Sequence, residues 1–143
     1  VEEANIEIRC ESDNDFHFYL HGPVGAYIAN QELGIEDPTV LDAIAFHTFY
    51  GYGANFDTPI CWCLRFSDIL EPNRDWSGVK WLRNNVDRLA EVVYSGHLTE
   101  GAFLQTGWLM KWFVEDDMPV HPNMERRYRE LSSQLNFDDA HLL

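Results

Sequence analysis

The sequence has no long apolar run and few basic residues, and each shortage excludes a class of protein. No apolar run approaches the roughly 20 residues that a membrane-spanning helix needs, so we expect neither a membrane span nor a signal peptide. The chain has only 10 lysines and arginines but 24 acidic residues. This balance argues against a nucleic-acid or anionic-membrane partner, because both require a basic surface.

Cysteine is also scarce. Three cysteines are an odd number and do not form a disulfide framework. Cys61 and Cys63 fall inside an apolar segment, where reduced core thiols are expected. A Cys-x-Cys pair alone is a weak metal signal, so the structural interpretation is favoured. Reduced thiols predict a cytoplasmic protein.

The chain begins at Val1 rather than at methionine, which suggests a processed or partial polypeptide. Its 143 residues suffice for one domain with a core. Apolar residues make up 45% of the chain and aromatic residues 14%, so it is predicted to fold despite a net charge of -14. With this charge, a polyanionic substrate can bind only where metal ions or a few arginines reverse the local field.

Helix start and stop signals recur along the chain, and no segment has the alternating pattern of a strand. Asp37, Thr58 and Thr99 are candidate N-caps, and Gly34 is a candidate helix stop. Helices are predicted at about 23–33, 38–47, 59–70, 77–95, 99–113 and 124–135, after an irregular lead-in over 1–20 and with a loop over 51–57. The predicted fold is all-α, with about six helices in a domain that spans residues 21–143.

Asp68 is the least expected residue of the segment 59–70. This segment is apolar on nearly every side, which is typical of a buried central helix. Asp68 follows Ile60 and Leu64 on one helical stripe, so we expect its carboxylate to face the core. A buried carboxylate requires a cation, a metal or several donors. Arg65 lies one turn earlier, where it can pair with Asp68 or extend its long stem to solvent.

Two of the six histidines are candidate ligands. His47 shares an inward stripe with Val40 and Ile44, although a histidine on an apolar face is more often a core residue. His21 precedes Gly22-Pro23 at a helix start, where a capping or turn role is as common. By residue type, these imidazoles and Asp68 could ligate a first-row metal. The remaining histidines, His17, His97, His121 and His141, receive no role.

Three ordered motifs carry a resemblance to a known family. They are Leu-His-Gly-Pro-Val-Gly-Ala-Tyr-Ile-Ala at 20–29, Val-Leu-Asp-Ala-Ile-Ala-Phe-His-Thr at 40–48 and Ser-Asp-Ile-Leu-Glu-Pro-Asn-Arg at 67–74. Together they resemble the bacterial symmetrical bis(5′-nucleosyl)-tetraphosphatases of the HD-domain superfamily, well over about 20–80 and loosely beyond. The resemblance implies a helical bundle with a two-metal, iron-type centre, in which manganese is an alternative. It also implies cleavage of diadenosine tetraphosphate into two molecules of ADP.

The resemblance also implies roles for individual residues. His21 and His47 match histidines that hold a metal, and Asp68 matches the carboxylate that closes the centre and serves catalysis. Arg74 and Glu71 belong to the motif after that aspartate, where they would hold substrate or order the site. Arg65 is a further substrate-binding candidate, because it could replace a missing phosphate contact.

Because of two departures from the family, two functional interpretations are open. No His-Asp dipeptide, the pair that names the superfamily, occurs anywhere in the chain, and residues 49–55 replace a usual Gly-Arg segment. One interpretation is a partial enzyme whose parent carries the missing ligands upstream, so that this chain alone is weak or inactive. The alternative is a non-catalytic HD-derived module for binding or scaffolding. A homodimer is compatible with either.

Overall fold

The fold is described from a computed structural model that covers residues 20–48 and 57–135. The helices are α1 (His21–Leu33), α2 (Pro38–Phe46), α3 (Pro59–Leu70), α4 (Lys80–Tyr94), α5 (Leu98–Glu115) and α6 (Pro122–Gln134). Residues 20–48 and 57–135 contain no strand, which confirms the predicted all-α class. Nor does any helix of these ranges have the length and apolarity needed to cross a membrane. The lead-in and the loop at 51–57 lie almost wholly outside the described residues.

The chain divides into two compact units, residues 1–65 and 66–143, and the division falls within α3. In the first unit α1 packs against α2. Ala29 of α1 and Ala43 of α2 are buried, and small side chains let two helices lie close together. A single domain over residues 21–143 stays a prediction.

Three predicted helix ends are confirmed. The side chain of Asp37 accepts hydrogen bonds from two main-chain amides in the first turn of α2, at 2.8 and 3.3 Å. Thr58 Oγ1 accepts from the amide of Cys61 at 3.2 Å, so it caps α3. Gly34 ends α1 with a left-handed φ of 67°, a conformation that glycine adopts without strain.

Four helix starts differ from the prediction, and two of these are α1, which begins at His21 rather than at Pro23, and α4, which begins at Lys80 rather than at about Ser77. Thr99 is not a cap, because α5 already begins at Leu98. The last helix begins at Pro122 rather than at Met124. The preceding residue, His121, is its N-cap, because ring Nδ1 accepts a hydrogen bond from a first-turn amide at 3.1 Å. An unprotonated imidazole nitrogen can replace the usual serine or aspartate oxygen at this position.

The predicted inward face of α3 is wrong by about one residue, or roughly 100° of rotation. Asp68 retains 37% of its side-chain exposure, and Ile60 is 48% exposed. The prediction of a buried Cys63 is also wrong, because this thiol is exposed. Residues on the buried face of α3 are Cys61, Trp62, Arg65, Phe66 and Ile69. A helix that is apolar nearly all round has no sequence-encoded inner face, so its packing partners select one.

In the second unit α5 packs against both α4 and α6. The core between them is largely apolar, and the rings of Phe103 and Tyr128 stack with centroids 4.9 Å apart. Gly101 of α5 lies against the ring of Phe66, and a Cβ atom there would come within 3.4 Å of it. Other buried core residues of this unit are Ile69, Leu82, Leu89, Ala102, Phe113, Met124 and Leu131. The last turn of α3 is thus held on α5.

Candidate metal centre

A close contact between α1 and α2 brings the two candidate histidines together. His21 is the first residue of α1, and His47 directly follows the last residue of α2. Between them lies Gly22, where a Cβ atom would collide with the carbonyl oxygen of Ala45. Only glycine therefore allows the start of α1 to approach the end of α2 this closely.

The imidazoles of His21 and His47 face each other through their Nε2 atoms, which lie 3.2 Å apart. Their ring centroids are 5.0 Å apart and the ring planes meet at 75°. Thr48 Oγ1 lies 2.9 Å from Nε2 of His21. Three polar groups from two segments that are distant in sequence thus converge on one point.

The main chain selects the tautomer of His47. Its Nδ1 lies 2.7 Å from the carbonyl oxygen of Ile44. A carbonyl oxygen can only accept, so Nδ1 carries the proton and donates it. In the neutral imidazole, Nε2 then presents a lone pair toward His21. A hydrogen bond of this kind from the far nitrogen orients histidines that ligate metals.

The separation of the two nitrogens fits a shared cation. Two histidine nitrogens at about 2.1 Å from one ion, with a ligand–metal–ligand angle between tetrahedral and octahedral values, lie about 3.0 to 3.4 Å apart. The observed Nε2–Nε2 distance of 3.2 Å falls in this interval. Two lone pairs at this distance would repel without a proton or a cation between them, so the pair is suited to hold one.

Arg65 supports this arrangement from the core. Its side chain is buried, with 1% exposure, so the expectation that it extends to solvent is wrong. Its Nε donates to the carbonyl oxygen of His47 at 3.2 Å, and Nη2 donates to that of Phe46 at 2.9 Å. The guanidinium lies 4.6 Å from the ring centroid of Trp62. A buried cation thus binds the carbonyls at the end of α2, where the helix dipole is negative.

Asp68 lies in the second unit and is bound by an arginine from the following turn. Arg74 Nη1 donates to Asp68 Oδ1 and also to the main-chain oxygen of Asp68, the latter at 3.1 Å. The two side chains retain 37% and 42% of their exposure, so this ion pair is accessible to solvent. The positive partner that the sequence required for Asp68 is therefore Arg74, from the same motif.

The remaining candidate, Glu71, is exposed, and its Oε1 accepts from Asn73 Nδ2 at 2.9 Å. Within residues 20–48 and 57–135, no group of three or more His, Cys, Asp or Glu side chains is arranged to hold an ion. The placement of Asp68 relative to the two histidines stays a prediction, as do the ligand roles of all three.

The two cysteines have a structural rather than a ligating arrangement. Burial raises the pKa of the Cys61 thiol above its ordinary value of 9.0, although nearby Arg65 opposes the shift. A protonated thiol is a poor metal ligand. Cys63 is exposed, whereas Cys61 is buried against the carbonyl oxygen of Ala43. The preference for a structural interpretation of Cys61-x-Cys63 agrees with this geometry.

Two contributors to the site were not identified from the sequence. Thr48 follows His47 directly in the second motif, and its position next to a candidate ligand was the available signal. Gly22 follows His21, but a glycine inside a helix gives no indication of which backbone it approaches. Both depend on where α1 meets α2, which is tertiary information.

Known proteins provide an independent test of the resemblance. The chain is 32% identical over 124 residues to a bis(5′-nucleosyl)-tetraphosphatase, symmetrical, from Halalkalibacterium halodurans, covering 84% of this chain and 60% of that protein. A Bacillus subtilis protein of the same name is 33% identical over 113 residues, covering 79% of this chain and 55% of that protein. No protein-family model matches the chain.

A solved structure establishes the fold. A predicted HD superfamily hydrolase involved in NAD metabolism, from Clostridium acetobutylicum, superposes with a TM-score of 0.73 and 24% identity over 93% of this chain and 64% of that one. The fold is therefore the helical fold of this HD superfamily protein. The chain spans between one half and two thirds of the length of the proteins it matches. Over most of its own length, this chain is similar to the symmetrical bis(5′-nucleosyl)-tetraphosphatases, as the three motifs predicted.

Proposed function

We propose that this chain forms part of a metal-dependent phosphohydrolase that cleaves dinucleoside tetraphosphates symmetrically into two nucleoside diphosphates. The single observation that carries the proposal is the pair of Nε2 atoms of His21 and His47, 3.2 Å apart. The similarity to proteins named for this activity supports the choice of reaction.

In this proposal, His21 and His47 hold a divalent cation through their Nε2 atoms, and Asp68 contributes a carboxylate oxygen. A cation here would supply positive charge for the polyphosphate and acidify a water molecule. The ligand roles require each Nε2 to present a lone pair, and the hydrogen bond from His47 Nδ1 to the carbonyl oxygen of Ile44 selects the tautomer of His47 that does so. Iron in a two-metal centre is our first choice of metal, and manganese is the second.

The charge of the chain explains why a cation is needed. A dinucleoside tetraphosphate is a polyanion, and the chain has a net charge of -14. We assign Arg74 to the ordering of Asp68, with which it pairs, and a direct contact between Arg74 and phosphate would compete with this pair. Arg65 is buried on the carbonyls of Phe46 and His47, so we assign it to support of His47 rather than to substrate. Glu71 is exposed beside the pair and remains a candidate substrate contact.

The proposal is tested by metal binding and by product analysis of the purified 143-residue chain. We expect Mn²⁺ titration to detect one site in the wild-type chain and a loss of affinity of at least tenfold in His21→Ala and His47→Ala. His97→Ala is the matched control, because His97 is an exposed histidine at the start of another helix. Failure of the wild-type chain to bind Mn²⁺ or Fe²⁺ would contradict the proposal and favour a non-catalytic module.

Turnover is measured on diadenosine tetraphosphate with Mn²⁺ or Fe²⁺ supplied. We expect low activity, because the chain has no His-Asp dipeptide to complete a second ion site. The product should be ADP alone, and it should disappear in the His21 and His47 variants. Release of ATP and AMP would contradict symmetrical cleavage, and robust turnover would indicate that other residues complete the site.

A further inference from the structure

The segment after α3 folds back over the end of that helix. The last four carbonyl groups of an α-helix have no partner within the helix. In α3, the carbonyl groups of Asp68 and Ile69 are bound by side chains of the segment that follows the helix. Arg74 Nη1 donates to the carbonyl oxygen of Asp68 at 3.1 Å, and Trp76 Nε1 donates to that of Ile69 at 3.0 Å. The two side chains therefore form a cap that the helix itself does not supply.

Arg74 is held from two directions. Its Nη1 binds both the carboxylate and the main-chain oxygen of Asp68. Its guanidinium carbon lies 4.6 Å from the ring centroid of Trp76. An arginine side chain that is 42% exposed has many alternative rotamers, and an exposed ion pair alone contributes little toward holding one of them. Stacking on an indole restricts the planar guanidinium and adds a cation–π attraction.

Trp76 is itself anchored at both ends. Its indole N–H is fixed on Ile69, and its main-chain oxygen accepts from the amide of Val79 at 2.9 Å, in the turn that leads into α4. Its ring is half-buried, and the guanidinium of Arg74 lies over it. The ring is thus a rigid support for the guanidinium.

We propose that Trp76 is a positioning residue for Asp68, which acts by holding the guanidinium of Arg74 against carboxylate oxygen Oδ1. Arg74 then occupies Oδ1, and among the described residues none binds Oδ2, which is left for a ligand. The role of Oδ2 as a metal ligand rests on the proposed function, whereas the support of Arg74 by Trp76 does not.

The first test needs no metal. In the ¹⁵N-labelled metal-free chain, NMR relaxation of the Arg74 Nε–H group reports its order parameter. We expect a value near that of rigid backbone, about 0.85, in contrast to below about 0.6 for Arg126, a more exposed arginine on α6. Trp76→Leu should lower the Arg74 value toward that of Arg126, and Trp76→Phe should lower it less, because it keeps a stacking face but loses the indole N–H that binds Ile69. Equal mobility of Arg74 and Arg126 in the wild-type chain would overturn the proposal without any variant.

The second test measures Mn²⁺ affinity in a double-mutant cycle. We expect Trp76→Leu to weaken binding about tenfold, the usual lower range for loss of a group that orients a metal ligand, and Trp76→Phe to weaken it less. In the Arg74→Gln background, Trp76→Leu should change affinity less than about twofold, because Trp76 acts through Arg74. A purely structural tryptophan would weaken binding equally in both backgrounds, which would overturn the proposal.

Trp112→Leu is the matched control for both tests. Trp112 also fixes its indole N–H at a helix end of the same unit, on Asp116 at 2.6 Å, so its removal costs a comparable interaction elsewhere. We expect it to leave the Arg74 order parameter and the Mn²⁺ affinity unchanged. If the wild-type chain binds no Mn²⁺, the proposed function fails, and the Arg74 order parameters still decide whether Trp76 holds Arg74.

Discussion

The Nε2 atoms of His21 and His47 lie 3.2 Å apart although 26 positions separate the two residues in the chain. The contact exists because α1 and α2 meet at a glycine, and because Arg65 binds the carbonyls at the end of α2. Both supports act on main-chain atoms of α2, and through them on the position of His47. The candidate site therefore depends on packing as much as on the ligands themselves, and the following experiments separate these contributions.

Gly22→Ala should destabilise the chain by about 1 to 2 kcal/mol. The added Cβ collides with the carbonyl oxygen of Ala45, and overpacking of this kind costs more than the roughly 0.5 to 1 kcal/mol that alanine gains over glycine in a helix. Gly25→Ala is the control on the same helix, because its Cβ would meet Ile44 at an ordinary 3.6 Å. Urea unfolding should give opposite signs for the two variants, and equal effects would mean that the close contact carries no energy.

Arg65→Met should destabilise the chain by about 2 to 4 kcal/mol, although it removes a buried charge. Methionine fills similar space but leaves the carbonyls of Phe46 and His47 without their donors, and buried unsatisfied acceptors are costly. Arg126→Met on the exposed face of α6 is the control and should change stability by less than about 0.5 kcal/mol. Equal free energies of unfolding for the two variants would exclude a supporting role for Arg65.

Asp68→Asn should cost less than about 1 kcal/mol in the metal-free chain, because its ion pair with Arg74 is solvent-accessible. The amide oxygen can still accept from Arg74. Mn²⁺ affinity should nevertheless fall at least tenfold, because a neutral amide is a weaker ligand than a carboxylate. Thermal melts with and without Mn²⁺ measure both effects. Asp87→Asn, at an exposed position of α4, is the control. A large loss of stability without metal would make Asp68 a structural residue.

The thiol of Cys61 should make stability depend on pH in the alkaline range. Its pKa in the folded chain is raised by burial, so the unfolded chain loses this proton first, near the ordinary value of 9.0. The contribution is fully present below pH 9.0 and is lost as the pH rises through the folded value. The stability advantage of wild type over Cys61→Ala should therefore shrink over the pH range above about 9. Parallel unfolding curves for the two proteins across this range would contradict the assignment, and Cys63→Ala, at an exposed thiol, is the control.

The helices and several of their ends could be predicted from the sequence because the signals are local. Asp37 and Thr58 cap helices through amides within three residues, and Gly34 adopts its left-handed conformation for reasons internal to the residue. Reliance on local signals also explains the error at Thr99. His97 and Leu98 carry no local capping signal, so the start of α5 is set by its packing on α4 and α6.

The sequence by itself determined the all-α class, most helix ends and the similarity to the symmetrical bis(5′-nucleosyl)-tetraphosphatases, since residue types and short spacings carry that information. The tertiary structure alone decided the inner face of α3. It placed Arg65 in the core and left Asp68, which was predicted to be buried, partly exposed. It also decided the contact of His21 with His47 and the stacking of Arg74 on Trp76. A helix that is apolar on most sides can bury more than one face at similar cost, so the surfaces it meets make the choice.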